Sequence, residues 1–311
     1  MRSRREVATA QPLSLEDPRR IGPYELLARL GEGGMGTVYL GHAPEARDGG
    51  LVAVKVLRPE LAFDEAFLAR FRDEVANAAR VASFCTARVL DHGAADGRVF
   101  MVTEYIDGPS LKAQVARDGP LSPGMLHGVA AGVAAALVAI HAAGLIHRDL
   151  KPGNVLLSMT GPRVIDFGIA RALDATTGHT RTGEVMGSPG WIAPELILNG
   201  EVTEAADIFA WGCLLGYAGS GHHPFGQGTF QVMAARAVHA EAQLGTLPDP
   251  LAGLVRAALR KDPRERPTGQ ELLLALVGGA GAVSASLGET WRVPATMPPD
   301  GPAPSSLTGP T

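Results

Sequence analysis

With 311 residues, 46 % of them hydrophobic and 19 % charged, the chain is long enough for two lobes and apolar enough to give each a core. A net charge of −4, with no basic stripe interleaved with aromatics, argues against a nucleic-acid partner. Two cysteines far apart, Cys85 and Cys213, exclude a disulfide scaffold and fit reduced, buried thiols in a cytoplasmic protein.

Met1-Arg2-Ser3-Arg4-Arg5 is basic but no apolar run follows it, so it is not a secretory signal. Residues 1–22 read as a flexible leader, with Pro12, Pro18 and the following Pro23 as breakers. A small, strand-rich lobe is expected over residues 23–106. Segments 24–30 and 37–41 read as strands flanking Gly31-Glu32-Gly33-Gly34-Met35-Gly36. The spacing G-x-G-x-x-G serves dinucleotide folds and other phosphate loops, and glycine-rich hairpins are common. In a dinucleotide fold the glycines open a helix. Here Thr37-Val38-Tyr39-Leu40 is β-branched and aromatic, so the turn is expected to join two strands. Glycines let the backbone approach phosphate oxygens and aim its N–H groups at them. Val38 would then lie over an adenine ring.

The next strand, Leu51–Leu57, carries Lys55 among apolar neighbours. Either this lysine snorkels from an edge strand, or it has acceptors, because an unpartnered buried ammonium is costly. The acceptors would be the α- and β-phosphates of a nucleotide and a glutamate from the following helix. That helix is expected over 62–81, with Phe67, Phe71, Val75 and Ala78 as its apolar stripe. Glu74 adjoins the stripe and is placed ahead of its rivals Glu65 and Asp73. Segments 88–90 and 99–104 return to strand.

After Gly108 the pattern turns helical, and a larger lobe is expected over 107–277. Its helices are read at 111–117, 125–143, 207–217, 230–240, 250–259 and 270–277. Segment 128–146 is apolar enough to be mistaken for a membrane span. It is weakened by glycines, interrupted by His141 and followed at once by a polar motif, so a buried helix is expected. The motif is His147-Arg148-Asp149-Leu150-Lys151-Pro152-Gly153-Asn154, followed by Asp166-Phe167-Gly168. Asp149 can orient a substrate hydroxyl and accept its proton. Lys151 can neutralise charge on a transferring phosphoryl group. Asn154 and Asp166 offer oxygens suited to Mg²⁺ or Mn²⁺. Residues 278–311 are rich in Gly, Ala and Pro and read as a flexible tail. Trp291 in this tail would either dock on the larger lobe or stay solvated.

H-R-D-L-x-x-x-N followed by D-F-G is the protein-kinase pattern. With Ile21-Gly22-Pro23-Tyr24, the Gly-Gly-Met-Gly loop and IHRDLKPGNVLL, the chain resembles the eukaryotic-like (Hanks-type) serine/threonine protein kinases of bacteria over about residues 24–277. The resemblance implies an α+β, two-lobed fold that moves the γ-phosphate of ATP to serine or threonine of protein substrates. It implies an ATP site of Leu30, Gly31, Gly33, Gly36, Val38, Ala53 and Leu156, with the adenine between Ala53 and Leu156. Glu104-Tyr105-Ile106 becomes the hinge and Thr103 the gatekeeper. Glu195, in Ala193-Pro194-Glu195, would pair with Arg266, and Asp207 would hold the catalytic loop. Ser188 stands where threonine is commoner and Trp191 where tyrosine is more usual. The link around Cys85 lacks the usual His-Pro.

By the same resemblance, Arg148 would pair with a phosphate on Thr180 or Thr182, which the enzyme would place on itself. Thr176 and Thr177 lie in the same segment. Dimerisation through the lobes is known in the family and has no decisive signature here. No transmembrane segment is read, which makes a cytoplasmic enzyme the expectation. Two alternatives share the fold. A pseudokinase scaffold should have lost Lys55, Asp149, Asn154 or Asp166. A small-molecule phosphotransferase typically lacks the A-P-E segment and its arginine.

Overall fold

Six antiparallel strands form the sheet of the small lobe, in the order β1-β2-β3-β4-β6-β5. They are β1 (Arg20–Ile21), β2 (Tyr24–Gly33), β3 (Gly36–His42), β4 (Leu51–Leu57), β5 (Val89–Ala95) and β6 (Arg98–Glu104). The computed structural model describes residues 10–34, 36–43, 50–60, 65–81, 84–167 and 190–278. Met35, Gly168, Thr176, Thr177, Thr180, Thr182, Ser188 and Trp291 lie outside the described residues.

Pairing decides which side chains share a face. Val38, Lys55 and Met101 lie in one cross-strand row, and Leu40, Ala53 and Thr103 in the next. Helix α1 (Glu65–Ala78) buries Phe67, Phe71 and Val75 against Leu57, Val99 and Met101. The apolar stripe expected on this helix is therefore its buried face. Alternate residues point to the other side of the sheet, where Tyr24, Leu26, Tyr39, Val54, Phe100 and Val102 form a second core.

Part of the stretch expected as a leader, from residue 11 to 21, packs on that second core. Ile21 is fully buried in it, Leu13 packs on it, and Gln11 bridges to Arg29 of β2. Proline forbids a helix in this stretch but not an extended strap, and a sheet with two apolar faces needs cover on both.

The larger lobe contains α2 (Leu111–Asp118), α3 (Pro123–Ala142), the hairpin β7 (Val155–Ser158) and β8 (Gly161–Val164), and α4 (Pro194–Asn199). It continues with α5 (Glu204–Ser220), α6 (Phe230–His239), α7 (Leu251–Ala258) and α8 (Gly269–Gly278). Helix α3 starts behind Ser122 with Pro123 in its first turn, and left-handed Gly144 follows its end. By length and composition it could cross a membrane. Here Val129, Ala130, Val133, Leu137 and Ile140 are fully covered in the large-lobe core, with α5, α8 and β8 packed around the helix. Helix α5 is buried nearly all round, as an apolar helix without a polar face must be. The four-residue strands β7 and β8 and the six-residue α4 were not expected, because segments so short carry no readable period.

Trp211 of α5 joins the two central helices: it is fully buried and its Nε1 donates to Ala130 O of α3 at 3.1 Å. Trp211→Ala is expected to lower the unfolding free energy by about 3–5 kcal/mol. Trp211→Phe should cost clearly less. Chemical denaturation measures both, and an alanine variant as stable as the parent would contradict this packing.

Candidate active site

The glycine-rich segment is a hairpin. Gly31 pairs with Val38, Gly33 with Gly36, and Gly34 lies in the turn, so strand follows strand as the residues after the turn implied. A Cβ on Gly31, Gly33 or Gly34 would meet nothing within 4 Å. Bare backbone there faces open space that a phosphate chain can enter. Gly36 is required for another reason. Its φ is +149° and a Cβ would fall 2.0 Å from Val56 O, so only glycine lets β3 close on β4.

Lys55 is 9 % exposed, and its Nζ lies 3.0 Å from Asp166 Oδ1. Burial opposes ionisation of Asp166, but the adjacent ammonium of Lys55 outweighs it, with His147 and Lys151 adding to the effect, and the carboxyl is held below its usual range. The stability from this depressed carboxyl is present above the ordinary carboxylate range and is lost as pH falls through its folded-state value. Of the three acidic candidates on α1, Glu65 and Asp73 are exposed and Glu74 is buried. Glu74 is thus the buried one of the three, and the close carboxylate at Lys55 is that of Asp166. A buried ammonium needs one close carboxylate, and Asp166 supplies it.

The catalytic loop is held from below by Asp207, 1 % exposed on α5. Its carboxylate accepts the His147 N–H at 2.8 Å and the Arg148 N–H at 2.9 Å, and the His141 ring Nε2 lies 2.8 Å away. These bonds hold Arg148 at φ +69°, a left-handed conformation that a non-glycine residue keeps only when its surroundings fix it. Asp166 is also left-handed, at φ +60°. His147 is fully buried, and its ring meets the edge of Phe167 at 6.4 Å between centroids, which ties the catalytic loop to the Asp166-Phe167 segment. The part played by His141 was missed in the sequence, where it reads only as a polar break in an apolar helix.

Above this floor, Lys151 Nζ lies 2.5 Å from Asp149 Oδ2. Asn154 Nδ2 donates to Asp149 O at 2.9 Å and to Asp149 Oδ2 at 3.3 Å. The amide nitrogen of Asn154 is thus engaged and its carbonyl oxygen remains for a cation. One carboxylate and one amide oxygen suit a hard divalent ion that takes its other ligands from phosphate and water. Among the described residues no cluster of three or more His, Cys, Asp or Glu forms a metal cage.

Leu30, Val38, Ala53, Thr103 and Leu156 are half-buried, and Ile106 is buried. Ala53 and Thr103 are paired neighbours, and Leu156 bridges Ser110, just past the hinge. Glu104 was expected to act through its backbone. Its side chain also pairs with Arg163 of β8 and accepts the Arg88 N–H at 3.0 Å, while Arg163 donates to Thr86 O at 2.8 Å. This tie between hinge and larger lobe was not legible, because β8 itself was not.

Glu195 and Arg266 form a two-pronged pair, with Nη1 to Oε1 at 2.7 Å and Nη2 to Oε2 at 2.8 Å. Arg266 also donates to Ala205 O, Arg260 O and Lys261 O, so this buried charge is fully partnered. Beside it, Trp191 stands edge-on to Tyr217 and His223. Burial pushes the His223 imidazole down to about 4.

A protein kinase domain family model matches residues 24–275. The chain is 44 % identical over 266 residues to a protein named probable serine/threonine-protein kinase PkwA of Thermomonospora curvata, covering 86 % of this chain and 35 % of that one. It is 40 % identical over 283 residues to serine/threonine-protein kinase AfsK of Streptomyces coelicolor, covering 90 % of this chain and 35 % of AfsK. It thus spans about a third of the length of these relatives. The crystal structure of the Mycobacterium tuberculosis PknI kinase domain is similar at a TM-score of 0.66 and 28 % identity, covering 86 % of this chain and 100 % of that one.

Breaking the buried pair from one side leaves an uncompensated charge. Glu195→Gln is expected to lower stability by about 3–5 kcal/mol. A calorimetric scan checks it, and an unchanged unfolding midpoint would show that the pair carries no stability.

Proposed function

The chain belongs to the protein kinase family, in its bacterial serine/threonine branch, and we propose on that premise that it transfers the γ-phosphate of ATP to serine and threonine hydroxyls of proteins. The observation that carries this reading is one catalytic loop in which Asp149 is contacted by Lys151 and Asn154, with Lys55 and Asp166 paired nearby. Phosphoryl transfer asks a protein mainly for positioning and charge stabilisation, and these residues supply both.

Lys55 would hold the α- and β-phosphates under the glycine-rich hairpin. Asp166 and Asn154 would hold Mg²⁺ or Mn²⁺, which when bound neutralises charge on the phosphates. With Asp166 and Asn154 holding the cation, Lys55 would pair with Glu74, the buried carboxylate of α1. Asp149 would orient the attacking hydroxyl and accept its proton at a carboxylate oxygen, and the Lys151 ammonium beside that carboxylate would neutralise charge on the transferring phosphoryl group. Leu30, Val38, Ala53 and Leu156 would enclose the adenine, with its edge read by the backbone of Glu104 and Ile106 and Thr103 behind it.

By the same reading, Arg148, whose backbone N–H is held by Asp207, would pair with a phosphate carried by Thr180 or Thr182 and so order the segment before Glu195. Proteins bearing serine or threonine are the substrates this reading implies. Pairing of two copies through the kinase lobes and a cytoplasmic location accord with it.

Asp149→Asn is expected to lower turnover roughly 10²–10⁴-fold, the range for loss of a general base, with ATP affinity little changed. Phosphate transfer to a generic protein substrate measures it, and full activity in this variant would remove Asp149 from the role. The Thr180→Ala/Thr182→Ala double variant should lose activation by pre-incubation with ATP. If it activates like the parent, the regulatory reading fails.

A further inference from the structure

The strap over residues 10–21 does more than cover apolar surface. It holds a charged side chain where the outer sheet face allows none to be free. Asp17 is 7 % exposed. Its Oδ1 accepts from Arg29 Nη2 at 2.6 Å and from Tyr39 Oη at 2.8 Å, and its Oδ2 accepts the Ser14 N–H at 2.7 Å. Burial opposes the charge on Asp17, but these donors outweigh it and hold the carboxyl far below its usual range.

The two side chains that Asp17 grips are a cross-strand pair, Arg29 of β2 and Tyr39 of β3. They stand at the root of the glycine-rich hairpin. Arg29 directly precedes Leu30-Gly31, and Tyr39 directly follows Val38. Because side chains alternate along a strand, Tyr39 points into the outer core while Val38 lies on the opposite face with Ala53 and Lys55. Gripping Tyr39 from outside thus fixes Val38 inside.

Two more contacts carry the grip toward the turn. The other guanidinium nitrogen of Arg29, Nη1, donates to Glu32 Oε2 at 2.8 Å, and Glu32 lies between Gly31 and Gly33. The backbone of Arg29 is held as well: Gln11 N donates to Arg29 O and Arg29 N to Gln11 O, both at 2.8 Å. Register shifts fall on both sides of this residue, between Leu26 and Ala28 and between Arg29 and Gly31. Such shifts loosen a ladder and re-aim the strand, so an outside partner at this point decides where the hairpin aims.

We propose that residues 10–21 form a brace that sets the glycine-rich hairpin for the nucleotide, with Asp17 as a positioning residue acting through Arg29 and Tyr39. The proposal rests on the reading of that hairpin as the ATP site. It adds a determinant of nucleotide affinity outside the nucleotide pocket, on the opposite face of the sheet. Arginine is the residue the brace needs, because only its planar fork reaches Asp17 and Glu32 at once, whereas a lysine would serve one of them.

The test measures ATP binding by calorimetry and initial rates at varied ATP, on the full chain and on Asp17→Asn and Arg29→Lys. Losing a charge-assisted grip on the hairpin should raise both Kd and KM for ATP roughly tenfold in Asp17→Asn, with kcat at saturating ATP changed less than about twofold. Arg29→Lys keeps the charge and the Asp17 partner, so it guards against a variant that does not fold, and it should raise KM in the same direction. A purely structural strap predicts the reverse pattern: a lower unfolding midpoint and a smaller active fraction at unchanged KM, an outcome that overturns the brace. Unchanged ATP affinity in Arg29→Lys overturns it too. If the parent chain itself fails to bind ATP, the nucleotide reading falls and the brace with it; if the parent binds and the variants match it, the brace alone falls.

Discussion

A lysine ammonium inside an apolar strand must have a counter-charge, and much of this molecule is arranged around the one it finds. Lys55 reaches the inner face of the sheet because β4 alternates in register with β3 and β6. Asp166 reaches Lys55 from the larger lobe, two residues after β8, in a left-handed conformation that its surroundings maintain. The pair therefore joins the two lobes at a charged contact, as Glu104 and Arg163 do at the hinge. In the function proposed above, a nucleotide phosphate would take the place of the carboxylate at the ammonium, and a divalent cation that of the ammonium at the carboxylate. An arrangement that pairs a buried ammonium with a half-buried carboxylate, and would offer each another partner when ligand binds, suits the proposed phosphoryl transfer.

The rest of the larger lobe works to keep the catalytic loop in a shape it would not choose alone. Asp207 sits on α5, which is buried nearly all round and pinned to α3 through Trp211. From that fixed position its carboxylate takes two backbone N–H groups of the loop and lies beside the His141 ring on α3. The strain at Arg148 is thus borne by the packing of α3 against α5. Glu195 and Arg266 apply the same logic one layer further out, where a fully partnered ion pair anchors α4.

Legibility in the sequence followed the range of the interactions. Hairpin, strands and long helices were readable because their signals are local: β-branched residues after the glycines, and apolar residues at helical spacing in α1 with Glu74 beside them. The motif residues were readable as a set, since their types and spacing carry the chemistry. What escaped were contacts between residues far apart. Asp17 with Arg29 and Tyr39, His141 with Asp207, and Glu104 with Arg163 each join segments whose proximity only the fold creates. The strap was misjudged as a leader for the same reason: its prolines speak locally, while its cover for the outer sheet face is a tertiary fact. The partner of Lys55 was the subtler case, because two carboxylates could serve it and spacing does not rank a helix residue against one from another lobe.

The central claim is that these residues form a working phosphoryl-transfer site, and the most direct measurement is intact mass. The purified chain would be incubated with ATP and Mg²⁺ and weighed beside a Lys55→Met chain treated identically. The account predicts mass gains of whole phosphoryl groups on the parent chain, mapping by peptide fragmentation to Thr180 or Thr182, and none on the Lys55→Met chain. Equal phosphate on both chains would contradict it, since transfer would then proceed without the lysine on which the site is built.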